Sequence, residues 1–304
     1  MNYFKITENR YLFLDIFLKN DKLYLICPIY DDNVYNIIIK PELKLFDKII
    51  QKGHNSRFDI IIYDCNCNFI EITYQGITKE FVLENNCTTH MGTLALTTLF
   101  KNDYKLFNLF YEYYKNRGVE HFFMYYNGNI TEEVNSYFKD KLDCTLVEWN
   151  FHYWSHGCKN IHHAQISQMH DALYKYGKNQ YDYMIFCDLD EYFIIQTIKS
   201  NPEVDVFGYC NVWAKTLDGK IPEKMPEKFL ISDDISPYIT RSKNIYKCSS
   251  VKTIHVHSPI SFTNGKGMYL TNFRMFHFYN WSGKPRGFNL TKLIQNNNNN
   301  DINE

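Results

Sequence analysis

Residues 181–193 read YDYMIFCDLDEYF, an apolar run of strand character that ends on Asp188, Asp190 and Glu191. In open α/β sheets, ligands bind beyond the carboxyl ends of the strands. Three carboxylates gathered at such an end repel one another unless something positive sits among them. Oxygen-only donors suit a hard divalent cation, Mn2+ or Mg2+, which keeps waters and accepts phosphate oxygens as further ligands. A cation bridging a diphosphate would hold the substrate and offset charge on a leaving group. A solvated acidic turn is the plain alternative, and the spacing alone does not separate the two.

The residues before this stretch say what kind of sheet it belongs to. MGTLALTTLF (91–100) is almost continuously apolar, as a strand buried on both faces of a parallel sheet must be. From Asp103 to Gly118, aromatic residues at Phe107, Phe110, Tyr111 and Tyr114 fall on one helical face, and Gly118 supplies the stop. VEHFFMYY (119–126) is a second strand. Thr131 can cap a helix whose first turn holds Glu132 and Glu133, favoured there by the helix dipole. CTLVEW (144–149) is a third strand, a helix spans about 160–176, and 181–187 is the fourth strand. Strands alternating with helices predict β-α-β units and a doubly wound, mostly parallel sheet.

Outside that region the pattern changes. Residues 1–87 form a β-rich region of short runs such as YLFLDIFL (11–18) and FDIIIYDC (58–65), with no helical period. Beyond about 202 the regularity decays into short strands and loops, and 293–304 reads as a disordered Asn-rich tail. The balance of 33 Lys+Arg against 34 Asp+Glu argues against a protein that wraps duplex nucleic acid. No apolar run approaches the roughly 20 residues that span a bilayer, and the first residues lack signal-peptide architecture. Nine Cys with no zinc spacing then read as reduced thiols, and the expected compartment is cytoplasmic.

The ordered set TLFKNDYKLFNLFYEYYKNRGVEHFFMYYNG (98–128), the helix carrying Gln165, and YDYMIFCDLDEYF resembles the metal-dependent glycosyltransferases of the GT-A fold. It is most similar to glycosyltransferase family 92, formerly domain of unknown function 23, and to family-2-like relatives. The resemblance runs from about Gly92 to Lys292 and implies a Rossmann-like GT-A domain over 88–292. It implies nucleotide contacts from Lys101, Asn102 and Asp103, where the family carries Lys/Arg-Asn-Glu. Phe110, Glu112, Tyr113 and Gly118 match the helix that follows. Asn127 matches the Asn of the family's Tyr-Asp-Asn, but the family's Asp is Tyr126 here, which suggests stacking on the base. Gln165 and Asp171 lie on the helix before the acidic motif, where the family often carries Gln and Asn or Asp, which implies a donor contact from Gln165; ordinary helix polarity explains both equally well.

By the same resemblance, Asp190 binds the metal directly, Asp188 joins it as a metal residue or contacts the ribose or a metal-bound water, and Glu191 supports the site or the sugar. A further metal ligand comes from a His of the second half. IHVHSP (254–259) offers His255 and His257, two residues apart and so on one side of a strand, with His257 favoured. MFHFYNW (275–281) offers His277 as a second candidate. Lys284 and Arg286 are placed in sequence to meet a diphosphate, or form a solvated basic turn. Inversion, implied by the family, needs a general base for the acceptor hydroxyl. Asp218 in WAKTLDG (213–219), and Asp233 and Asp234 in ISDDIS (231–236), are the alternatives. Trp213 is a candidate platform for a sugar ring, or a core residue.

The expected function is therefore transfer of a hexose, galactose or glucose by analogy, from a UDP-sugar to a glycan or glycoprotein hydroxyl, with Mn2+ or Mg2+. Two rivals stand beside it: a metal-dependent phosphohydrolase or nucleotidyltransferase, and a non-catalytic glycan-binding relative. The phosphatase D-x-D of the haloacid dehalogenase class sits on its fold's first strand, whereas this one ends the fourth. The N-terminal region has no family match; it could bind acceptor, mediate a homo-oligomer or brace the sheet.

Overall fold

The computed structural model describes residues 1–8, 10–28, 36–53, 56–155, 158–195, 198–236, 238, 240–281, 290 and 292–295. Its centre is a ten-stranded sheet. In chain order its strands are β1 (Gly92–Phe100), β2 (His121–Tyr126), β3 (Cys144–Glu148), β4 (Tyr181–Phe186) and β5 (Glu191–Phe193). They continue as β6 (Val206–Thr216), β7 (Lys228–Ile235), β8 (Lys243–Lys247), β9 (Tyr269–His277) and β10 (Lys292–Gln295). The spatial order is β3-β2-β1-β4-β8-β6-β7-β10, with β9 paired to β5 and β6.

The first four strands are parallel, as the alternation of strand and helix requires. Helix α1 (Phe107–Lys115) follows β1, α2 (Glu132–Ser136) follows β2, and α3 (His163–Asp171) precedes β4. Thr131 caps α2 by accepting from Val134 N. Gly118, at φ +89°, takes the left-handed conformation in the turn that leads from α1 into β2.

The sheet as a whole is mixed, which corrects the mostly parallel expectation. β8 runs antiparallel to β4 and β6, and β7 and β10 continue antiparallel, while β9 is parallel to β6. After β4 no helix is available among the described residues to carry the chain back across the sheet, so neighbours pair antiparallel. The expected decay beyond 202 is wrong for the same reason: β6 has 11 residues and β9 has 9. The helix expected from 160 begins instead at His163, because Cys158–His162 is a strand. It continues past Asp171 as a wider turn over Ala172–Gly177. Residues 293–295, expected in the tail, pair as part of β10 with β7; 296–304 lie outside the described residues.

Alternate residues of the central strands supply two cores. Leu94, Leu96, Phe122, Met124 and Tyr126 face α1. Ala95, Phe123 and Tyr125 face α3 and residues Leu14, Phe17, Ile26 and Ile60 from the N-terminal strands. The N-terminal β-rich region contains a five-stranded sheet, a three-stranded sheet and a ribbon pairing Phe4–Thr7 with Arg10–Phe13. No helix among the described residues is long and apolar enough to cross a membrane.

Candidate active site

A cleft of about 1090 Å3 opens over the carboxyl ends of β1 to β4. Its walls bring together Lys101, Asp103, Asn127, Gln165, Asp188, Asp190, Glu191, His257 and His277. These come from segments spread across 177 positions, and the parallel strand ends gather them as the topology dictates.

The acidic motif is built rigidly. Asp188 N donates to Glu191 Oε2 at 2.8 Å, and Glu191 N to Asp188 O at 3.1 Å, closing a tight turn. β5 then pairs with the end of β9, with Glu191 opposite His277. From α1, Tyr113 OH donates to Phe193 O and Tyr114 OH to Glu191 O, both at 2.7 Å. The aromatic face read from sequence therefore also fixes the backbone that carries Glu191.

Lys243 supplies the positive charge. Its Nζ lies 2.7 Å from Asp188 Oδ2 and 3.1 Å from Glu191 Oε2, with the lysine side chain 4% exposed and Glu191 2% exposed. Burial alone would lower the ammonium's pKa; Asp188 and Glu191 outweigh it and raise it. Burial, together with Asp188 and Asp190, raises Glu191 against the pull of Lys243 and His277.

Asp190 and His277 form the second half of the cluster. His277 Nε2 is 3.4 Å from Asp190 Oδ2, and Nδ1 is 3.0 Å from Asn211 Oδ1. With the carboxamide oxygen accepting at Nδ1, Nε2 is the nitrogen that faces Asp190. Burial would lower the imidazole's pKa, but Asp190 and Glu191 raise it; burial would raise Asp190, but His277 brings it down.

This pair fits a divalent cation. Neighbouring ligand atoms around a hard ion stand roughly 3 Å apart, close to the spacing here. Nδ1 is tied to Asn211, the arrangement that orients a ligating imidazole. Three acidic side chains face one ammonium, so the cluster stays acidic when His277 is neutral, the form in which an imidazole ligates a metal. Among the described residues no three His, Cys, Asp or Glu side chains form a complete cage. That suits an ion that takes one or two protein ligands and completes its shell with phosphate oxygens and water.

Several expected residues stand elsewhere. His257 lines the cleft, but its Nδ1 lies 3.0 Å from Ser242 O, and it is His277 that the structure sets against Asp190. Burial and the neighbouring Lys243 push His257 down to about 4. Asp188, expected also as a metal ligand, is engaged by Lys243, and Gln165 Nε2 approaches its Oδ1 at 3.4 Å. Tyr126 is buried beside Phe100 and Tyr104 in the α1-side core rather than in the cleft, so it cannot stack on a base there. Asn102 is exposed, and it and His255 are not among the cleft's lining residues. Asn127 is buried and works as a clasp: Nδ2 donates to Trp149 O and Phe151 O, each at 2.8 Å. Asp171 faces away, accepting from Tyr125 OH at 2.6 Å.

Among the base candidates, Asp218 is exposed in the β6–β7 turn, outside the cleft lining, and accepts from Lys220 N. Asp233 and Asp234 lie on β7 where three residues, 232–234, face the single Trp213 of β6 between the pairs Val212–Ile235 and Ala214–Ile231. Their side chains lie outside the described residues, as do Lys284 and Arg286. Trp213 lines the cleft with its ring 4.5 Å from that of His277 and Arg241 5.2 Å above it.

Sequence reasoning missed Lys243, Arg241, Tyr11 and the aromatic loop Phe151–Trp154, all of which line the cleft. The three repelling carboxylates were the signal for an internal cation, but nothing local to SKNIYK (242–247) marks Lys243 as that cation.

The chain matches glycosyltransferase family 92 over residues 93–303. No curated protein matches it. Among solved structures it is similar to HddC from Yersinia pseudotuberculosis, at 11% identity over 62% of this chain and 96% of that one, with a TM-score of 0.36. A likeness so distant informs neither fold nor chemistry.

Proposed function

The chain belongs to glycosyltransferase family 92 and is a glycosyltransferase, and from that premise we propose that it moves a hexose from a UDP-sugar to a hydroxyl of a glycan or glycoprotein. The proposed fold is GT-A, with β3-β2-β1-β4 as its nucleotide-binding half. The observation that carries the reading is the Asp190–His277 pair, set at a strand end inside a cleft that also holds Lys101, Asn127 and Gln165.

In this reading Asp190 and His277 would hold Mn2+ or Mg2+. Bound there, the cation would complete its shell with diphosphate oxygens and offset the charge that develops on the leaving nucleoside diphosphate. Asp188 is held by Lys243 and Gln165 so that a carboxylate faces the donor sugar or ribose. Glu191 is buried behind it and fixes the turn. Trp213 and Arg241 form the wall beside His277 on which an acceptor sugar can rest. Asp233 or Asp234, on the bulged strand opposite Trp213, removes the acceptor's hydroxyl proton. The acceptor oxygen then bonds to the sugar carbon as that carbon's bond to the diphosphate breaks, with inversion.

Thermal unfolding of the full chain against UDP and UDP-sugars, with and without Mn2+, tests this. A ligand at a hundredfold excess over its Kd adds about 2.7 kcal/mol of apparent stability. A shift that requires Mn2+ and disappears in Asp190→Ala is the expected result. No shift with any saturating UDP-sugar plus metal would sink the donor assignment. Release of inorganic phosphate without sugar transfer would favour the phosphohydrolase rival instead.

A further inference from the structure

The family match begins at residue 93, yet one wall of the cleft comes from the N-terminal ribbon: Tyr11 lines it together with Phe151. Tyr11 sits opposite Lys5 in the ribbon. Its ring is half-buried and held edge-on by Phe151 at 4.9 Å and Tyr3 at 5.6 Å, with Lys5 Nζ 5.7 Å from its centroid. Phe151 is itself fixed, because its carbonyl and that of Trp149 accept from the Asn127 carboxamide after β2. The Tyr11–Phe151 corner is therefore built by both halves of the molecule.

Its position in the fold says what it faces. In an open α/β sheet a ligand lies in the crevice beyond the carboxyl ends of the strands where the strand order reverses, here between β1 and β4, and the loops after β1, β2 and β3 form one side of that crevice. Phe100 ends β1 and Lys101 follows it, Asn127 follows β2, and Asn150 and Phe151 follow β3; all line the cleft. The acidic cluster at the end of β4 is connected to the same side through Gln165, which accepts from Tyr153 OH at 2.7 Å and approaches Asp188 at 3.4 Å. A diphosphate at Asp190 thus leaves its nucleoside toward Phe151. The cleft, at about 1090 Å3, exceeds the range of about 300–1,000 Å3 for single-ligand pockets. It has room for a nucleoside at this end and an acceptor at the Trp213 end.

We propose that Tyr11, from the N-terminal β-rich region, forms the wall against which the nucleobase of the donor packs, so that this region completes the donor site. The inference rests on the donor reading above. A flat base needs an aromatic surface and polar groups at its edges, and Asn150 and His152 line the same end.

The test is calorimetric binding to the full chain of two probes, UDP with Mn2+ and inorganic pyrophosphate with Mn2+. Loss of an aromatic stacking partner weakens nucleotide binding by about 10- to 100-fold. Tyr11→Ala and the bulkier Tyr11→Leu should both weaken UDP by that factor and leave pyrophosphate unchanged, while Tyr11→Phe should bind UDP like the wild type. Tyr11→Leu keeps most of the volume if Tyr11→Ala unfolds. Equal loss for both probes would make Tyr11 a purely structural residue and overturn the inference. Unchanged UDP affinity with a raised acceptor KM would overturn it in favour of an acceptor wall. A wild type that binds no nucleoside diphosphate with metal would overturn the donor reading itself, which is a separate outcome.

Discussion

Helix α3 and the turn that extends it stand between two ionic clusters, and only one of them lines the cleft. Gln165 reaches the cleft, where Asp188, Asp190 and Glu191 meet Lys243 and His277. Two turns on, Asp171 and Lys175 reach the N-terminal strand Asp15–Lys19. There Lys175 Nζ lies 2.6 Å from Asp15 Oδ2, and Asp171 accepts from Tyr125 OH. Both clusters are rich in carboxylates and both use lysine as counter-ion. Burial, with Asp15 beside it, raises Asp171 to about 8, so the inner cluster reduces its own charge by holding a proton. In the cleft, Glu191 is likewise raised, to about 7, but Asp190 is held down and His277 up, so part of the charge is kept where a ligand can reach it. Buried charge alone does not mark a site; charge that remains unbalanced beside a cavity does.

The largest effect expected on the open side is on turnover. Asp190→Ala should lower kcat for sugar transfer by about 10^2–10^3-fold or more, the scale seen when one group that stabilises developing charge is removed. Its unfolding midpoint should fall as well, since His277 and Lys243 hold the Asp190 carboxyl below its usual pKa and the charge therefore stabilises the fold at neutral pH. Nucleoside diphosphate release assayed beside chemical denaturation checks both halves. A stable variant with full activity would remove Asp190 from the chemistry.

Lys243→Met tests stability on the same side. Removing one partner of a buried pair leaves an uncompensated charge, at about 3–5 kcal/mol. The variant should lose that much in urea denaturation, and Glu191→Gln in the same chain should recover part of it. Additive losses would mean that Lys243 and Glu191 are not coupled.

The contrast also explains what could be read from the sequence. The order β1-α1-β2-α2-β3-α3-β4 and the strand-end position of Asp188 and Asp190 were legible, because period and apolar runs are local signals. Lys243 was not: it reaches Asp188 from 55 positions away on an antiparallel strand. Tyr126 was misplaced for a related reason. β2 is buried on both faces, so its pattern does not tell that Tyr125 points to α3 and Tyr126 to α1. That His277 rather than His257 stands beside Asp190 follows from the pairing of β5 with β9, which no local pattern encodes.

Between the two clusters, His170 makes stability depend on pH. It is fully buried, its Nδ1 donates to Ile166 O at 2.8 Å, and its Nε2 accepts from Ile254 N at 3.1 Å. A backbone N–H can only donate, so the ring must be neutral. Burial, aided by Lys178 and His255, lowers it from 6.5 to about 4 against the pull of the Ile166 carbonyl. The unfolded chain therefore takes the proton first on acidification. Stability from this group is complete above about pH 6.5 and lost as pH falls to about 4, amounting to about 3 kcal/mol. Denaturation of wild type and His170→Gln across that window should show the loss only in the wild type. Parallel pH profiles would remove His170 as its source.

The smallest effect belongs to the closed side. Lys19 is buried, and its Nζ donates to the carbonyls of Tyr174, Lys175 and Lys178 at 3.0, 2.9 and 2.7 Å, at the end of the turn that extends α3. Burial lowers its pKa to about 7, which offsets part of what a cation contributes at a helix end. Lys19→Met should therefore cost only about 1–2 kcal/mol, as three carbonyls lose their donor but a buried charge is also removed. The sign with pH follows: the unfolded lysine holds its proton to higher pH than the folded one, so the wild type gains stability as pH rises from about 7 toward 10. The difference from Lys19→Met is then largest at the alkaline end. Because Lys19 touches only the closed cluster, kcat at neutral pH should be unchanged. A fall in kcat without a matching loss of stability would show that the two clusters communicate through α3, and the distinction between an open, functional side and a closed, structural one would fail.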